Sequence, residues 1–108
     1  MIKGYVYLLM TNSENGEVFK IGITKNNPLE RIKQLSTGND KKITLINSYQ
    51  SQNYLKIERF LHRKYLTKTE AGNEWRNLSI EQTISFLDDC IEADNNIKFL
   101  LKNNPFYD

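Results

Sequence analysis

The sequence predicts an α/β (α+β) domain, with a small three-stranded antiparallel sheet flanked by helices in the order ββαβαα and a C-terminal helical addition. Three observations carry that expectation. Residues 4–24, GYVYLLMTNSENGEVFKIGIT, hold two runs of alternating side chains around Asn15-Gly16. Residues 43–49, ITLINSY, make a third run rich in β-branched residues. Much of the remaining apolar content recurs at helical spacing behind capping residues. A chain of 108 residues makes one domain, 1–108, large enough to bury about two-thirds of its unfolded surface.

On the first strand Val6, Leu8 and Met10 alternate with Tyr5, Tyr7 and Leu9; on the second Phe19, Ile21 and Ile23 alternate with Lys20, Gly22 and Thr24. Successive strand side chains point to opposite faces, so each strand has one apolar face and one of unusual chemistry. Asn-Gly supplies the positive φ angles of a tight hairpin, although the six residues from Asn12 to Glu17 leave room for a wider loop. Taken singly, a mid-strand lysine is a solvated edge residue, a strand glycine a close backbone approach, and two tyrosines packing residues. Brought together, Tyr5, Tyr7, Lys20 and Gly22 describe a groove with phenolic hydroxyls, an ammonium group and room for a ligand.

After the hairpin, Asn27 as cap and Pro28 at the first helical position open a helix over residues 29–36, with Leu29, Ile32 and Leu35 as its apolar stripe and Gly38 as its stop. Arg31 and Gln34 lie off that stripe. A second helix runs from about 51 to 66, with Tyr54, Ile57, Phe60 or Leu61, and Tyr65 facing the core; Glu58 and His62, four apart, can touch. A polar loop over 67–73 leads to Glu74-Trp75. Ser79 with Gln82 is a capping box for a third helix over 80–93 that packs through Ile84, Leu87 and Ile91. A further helical segment follows from Asn95.

Composition excludes several classes. Apolar residues at 39% and a formal net charge of +2 give neither a disordered chain nor a globally basic one, so any nucleic-acid surface arises from local clusters such as Lys41-Lys42, Arg59, Arg63-Lys64 and Arg76. Cys90 is the single cysteine, which rules out an internal disulfide; among Phe86, Leu87 and Ile91 it reads as a buried thiol. No apolar run approaches the ~20 residues of a membrane span, and the N-terminal apolar stretch is too short for a signal peptide, so a cytoplasmic protein without membrane partners is expected.

YVY at residues 5–7 followed by KIG at 20–22 resembles the GIY-YIG nuclease superfamily, and more closely its small phage and bacterial branch, the T5orf172-type domains. Arg31 within PLERIKQLSTGN, the IERFLHRKY run at 57–65 and GNEWRNL at 72–78 follow in the same order. The likeness covers residues 3–78, leaving 79–108 as a helical extension. It implies an endonuclease that hydrolyses phosphodiester bonds in DNA with Mg²⁺ (or Mn²⁺).

The chemistry asks for an activated water, charge neutralisation on the phosphoryl group and stabilisation of the leaving oxygen. Mg²⁺ prefers oxygen ligands and keeps much of its water, so one carboxylate suffices. The resemblance makes Glu74 that metal ligand, where the sequence alone reads a loop carboxylate anchored by Trp75. It likewise makes Arg31 a phosphate clamp, whose planar fork donates two hydrogen bonds and stays charged. The base is Tyr7 or Lys20: a phenol with pKa near 10 needs a nearby cation, and Lys20 stands where the family has its second tyrosine. Tyr5 and Gly22 support the site. His62 either moves a proton or is simply held by Glu58. Lys41, Lys42, Arg63 and Arg76 are the expected nucleic-acid contacts. No residue matches the asparagine that follows the Glu in some branches. The competing reading is a catalytically silent nucleic-acid-binding or regulatory module on the same fold. With no added recognition domain, intrinsic sequence specificity is expected to be low, and a homodimer or larger assembly to supply it.

Overall fold

The computed structural model describes residues 3–14, 16–36, 42–65 and 75–103. The three alternating runs form β1 (Gly4–Ser13), β2 (Gly16–Thr24) and β3 (Thr44–Ser51). β1 lies in the middle, antiparallel to both neighbours, in the order β2-β1-β3. The hairpin is tighter than its six-residue connection suggested. Pairing continues through Asn12 opposite Glu17 to Ser13 opposite Gly16, leaving two residues between. Gly16 takes a φ of 94°, which glycine adopts without a steric penalty, and Ser13 Oγ donates to its carbonyl at 3.0 Å.

Three helices complete the chain: α1 (Pro28–Ser36), α2 (Tyr54–Tyr65) and α3 (Ile80–Asn103). Asn27 caps α1, its Oδ1 accepting from the Leu29 amide at 2.9 Å. The stripe that α1 buries is not the expected one. Pro28 is buried and Ile32 and Leu35 pack inward, whereas Leu29 is 58% exposed. The cap-side proline takes the inward position and turns Leu29, one residue on, toward solvent. Gly38, the expected stop, lies outside the described residues. α2 buries Tyr54, Ile57, Leu61 and Tyr65 as expected, with Phe60 half-buried beside them.

The expectation for α3 needs two corrections. Instead of ending near Ala93 and restarting, it runs unbroken for 24 residues. Its buried face is Phe86, Asp89, Cys90, Ala93, Asp94 and Ile97, while Ile84 is 76% exposed and Leu87 and Ile91 are also exposed. That face joins the core through Phe86, Cys90, Ala93 and Ile97, and a pair of aspartates fixes its orientation. Asp94 accepts from Tyr49 Oη at 2.6 Å, Asn53 Nδ2 at 3.0 Å and Ser51 Oγ at 3.1 Å, with Lys98 Nζ at 3.4 Å. Asp89 accepts from Tyr65 Oη, from Lys64 Nζ at 2.9 Å and from Ser85 Oγ at 3.0 Å. Phe86, Cys90, Ala93 and Ile97 make an apolar stripe of their own at helical spacing, and the two satisfied carboxylates hold that stripe inward. The Ser79–Gln82 box forms as expected, with reciprocal bonds of 2.9 and 3.1 Å.

The sheet is covered on both faces. α2 and α3 pack on Val6, Leu8, Phe19 and Ile21, α2 over β1 and β2 and α3 over β3. On the other face Tyr7, Leu9 and Ile43 meet Ile32 and Leu35 of α1, together with Trp75. Cys90 is fully buried, and burial followed by the charges of Asp89 and Asp94 pushes its thiol up to about 12, which keeps it protonated and inert. Among the described residues no helix is long and apolar enough to cross a membrane.

The aspartate clasp sets the pH range of stability. Burial pushes both carboxyls up, but the hydrogen bonds they accept outweigh it and hold both below the usual value of 3.8. Their contribution is therefore present above about pH 3.8 and is lost as pH falls through the lowered folded value. Tyr49 is pushed up to about 12 by burial and by its bond to Asp94, so its contribution is present below 10.0 and is lost as pH rises toward 12. Denaturant midpoints should be flat between about pH 5 and 9 and fall on both sides. Asp94→Ala, which strands the buried Ser51 hydroxyl and the half-buried donors of Tyr49 and Asn53, should cost roughly 3 kcal/mol in urea unfolding, whereas Lys98→Ala should cost less than about 1 kcal/mol.

Candidate functional site

The register settles which strand residues share a face. Tyr5 lies opposite Thr24, Tyr7 opposite Gly22 and Leu9 opposite Lys20, so Tyr5, Tyr7, Lys20 and Gly22 stand on one side of the hairpin. Lys20 is the diagonal neighbour of Tyr7, about 7–8 Å away along the pleat and within reach of a long side chain. β3 adds Gln50 opposite Tyr5 and Ser48 opposite Tyr7. Gln50 Nε2 donates to the Tyr5 hydroxyl at 3.4 Å.

Tyr7 is 2% exposed, and its phenol lies across Gly22. A methyl group on Gly22 would fall 2.8 Å from Tyr7 Cε1 and closer still to the hydroxyl end of the ring. The glycine is thus required by the tyrosine opposite it. Its absent side chain is the space the ring occupies.

α1 covers the β3 side of this face, through Ile32 and Leu35. Arg31, half-buried at the margin of that stripe, donates from Nη1 to Gln34 Oε1 at 3.3 Å on the exposed side of the helix. The opposite side of the face, along β2, receives the segment after α2. Phe19 and Arg76 exchange backbone hydrogen bonds of 2.7 and 2.8 Å in an antiparallel bridge, and Asn77 Nδ2 donates to the Glu17 carbonyl at 3.0 Å. Opposed residues share a face, so Arg76 goes with Phe19 toward the α2–α3 layer. Trp75, half-buried rather than fully buried, packs with Tyr7, Leu9 and Ile43.

Of the residues singled out in the sequence, the fold therefore gathers Tyr5, Tyr7, Lys20 and Gly22, with Arg31 on the helix above them. Glu74 and Lys41 lie outside the described residues. Glu74's neighbour Trp75 belongs to the Tyr7 face. Lys42 is exposed at the start of β3, where its carbonyl accepts from Thr11 Oγ1 at 2.9 Å. Glu58 and His62 touch, Oε2 to Nε2, at 3.8 Å. Neither lines the groove between α2 and α3. Arg63 lies in the groove between α2 and α3, across the sheet from Tyr7.

Among the described residues no group of three or more His, Cys, Asp or Glu side chains is placed to hold a metal ion.

Sequence reasoning missed the pairing of residues 76–77 with the edge of β2 and the aspartate clasp of α3. The first carries almost no signal, since one bridge leaves no alternation to read. The second was readable in principle: Asp89 and Asp94 sit at helical spacing with Phe86, Cys90, Ala93 and Ile97.

The family model described as the T5orf172 domain matches residues 4–103, a span that takes in α3. No curated protein and no solved structure is significantly similar to the chain.

Replacing Gly22 by alanine should cost about 1–3 kcal/mol by forcing the Tyr7 ring from its seat. In a double-mutant cycle the cost should shrink when Tyr7→Leu has already removed the ring. An equal cost in both backgrounds would show that the crowding lies elsewhere.

Proposed function

The chain belongs to the T5orf172 domain family, and from that premise we propose that it is a Mg²⁺-dependent DNA endonuclease of the GIY-YIG type with low intrinsic sequence specificity. The observation that carries this reading is the shared face of Tyr7, Gly22 and Lys20, roofed by the Arg31 helix on one side and bordered on the other by the Trp75 segment. Arg31 clamps a phosphate through its guanidinium. Tyr7 or Lys20 positions the attacking water and takes its proton, Tyr5 holds the neighbouring polar network, and Glu74 is the residue that would hold Mg²⁺. The metal supplies charge neutralisation on the phosphoryl group and the leaving oxygen. His62 relays a proton, or is simply held by Glu58. A second copy of the chain, or a larger assembly, supplies target selection.

One observation favours the silent-module reading: Tyr7 is buried, with its phenol against the Gly22 backbone, as a structural tyrosine would be. The two readings separate in a plasmid-nicking assay with Mg²⁺ or Mn²⁺, with EDTA as control. The nuclease nicks only with metal, and Glu74→Ala abolishes nicking while DNA binding in metal-free buffer persists. Absence of nicking by the wild type at any metal concentration would favour the module. Arg31→Ala should lower the rate about 10²–10³-fold, as loss of one preorganised donor does. Because the described bond of Arg31 is to an exposed glutamine, the melting temperature should hardly move; unfolding of the variant would make Arg31 structural.

A further inference from the structure

The α2–α3 groove lies on the opposite layer from the Tyr7 face and encloses about 320 Å³, the lower end of the range for ligand pockets. Lys56, Arg59 and Arg63 line its α2 wall, Ile97 and Leu100 line the α3 wall, and Phe60 contributes an aromatic surface. No acidic side chain lines it. That is a local excess of charge in a chain whose net charge is only +2 and whose α3 presents exposed Glu81, Asp88 and Glu92. The fourth cation of this part of α2, Lys64, is taken: its ammonium bonds Asp89 at 2.9 Å and stands 5.7 Å from the Phe60 ring centroid. Among the described residues neither Arg59 nor Arg63 is held by an acid.

We propose that this groove is a second nucleic-acid site, which holds a single-stranded polynucleotide by its phosphates and by the face of a base. The proposal rests on the reading above only in taking nucleic acid as the partner; it requires no catalysis. Lys56, Arg59 and Arg63 follow one another a turn apart, over a run of about 10 Å along the helix axis. Four stacked nucleotides, separated by three steps of about 3.4 Å, cover the same length. The apolar half of the groove selects between forms of nucleic acid. A duplex turns phosphates and sugars outward, whereas a single strand also offers π-faces, which stack on aromatic rings and guanidinium planes. Because the groove and the Tyr7 face lie on opposite sides of the sheet, a strand held in one leaves the other open to a second segment of nucleic acid.

The test is fluorescence anisotropy of a labelled twelve-residue oligothymidylate with the full chain in EDTA, across 50–200 mM salt. Arg59→Gln with Arg63→Gln should weaken binding at least tenfold. The same pair should reduce the slope of log K against log salt by about 1.4, since each phosphate that a single strand leaves unneutralised is worth ~0.7. The Arg59→Lys, Arg63→Lys pair should retain most of that slope, and both should melt like the wild type. Unchanged affinity and slope in the glutamine pair overturn the proposal, as does failure of the wild type to bind. Competition by polyglutamate as effective as by unlabelled oligothymidylate also overturns it, in favour of an acidic-peptide surface. Since EDTA removes metal-dependent cleavage, absence of nicking by the wild type bears on the nuclease reading and leaves this result standing.

Discussion

The Tyr7 ring seated on Gly22 is the interaction on which the rest of this face depends. An aromatic ring laid over a cross-strand glycine fills the space a side chain would take, and it pins both the strand register and the rotamer of the tyrosine. Once the ring is fixed, Leu9 and Ile43 continue the surface. Ile32 and Leu35 of α1 then dock from the β3 side and Trp75 from the β2 side. A slip of one residue in the β1–β2 register would put Lys20 and Gly22 on the face opposite Tyr5 and Tyr7. The close ring–glycine approach is a local guard against that slip.

The opposite layer is built on a different principle. There the apolar core of Val6, Leu8, Ile57, Leu61 and Phe86 supplies the area, and two buried carboxylates supply the direction. Asp94 ties α3 to the corner where β3 turns into α2, and Asp89 ties it to the end of α2. Each accepts bonds from three side chains, so a rotation of α3 about its axis strands several buried donors at once. Such directionality lets α3 leave Ile80 and Ile84 three-quarters exposed while it buries acids.

The hairpin, the Asn27-Pro28 start of α1, the core face of α2 and the Ser79 box were legible because each is a local pattern: alternation of two, a cap, or a stripe. Where the sequence misled, more than one apolar stripe was on offer and packing chose between them. Pro28 takes an inward place on α1 that leaves Leu29 outside, and on α3 the stripe of Phe86, Cys90, Ala93 and Ile97 is held by Asp89 and Asp94, whose partners lie up to 45 residues away. For the candidate site, alternation was enough to gather Tyr5, Tyr7, Lys20 and Gly22. It said nothing of residues 76–77, whose place is set by two backbone bonds to Phe19. Nor did it separate Arg63 and Arg76, which read as nucleic-acid contacts, from the tyrosine side of the sheet. Charge has no period that reveals a face until the helix it rides on has been packed.

That one ring-on-glycine interaction organises the tyrosine face is tested most directly by proton NMR of the folded chain. The expected result is a strong upfield ring-current shift of the Gly22 α-protons and cross-peaks from them to the Tyr7 ring protons, both absent in Tyr7→Leu. Gly22 α-protons at ordinary strand shifts, with no cross-peak to Tyr7, would contradict it.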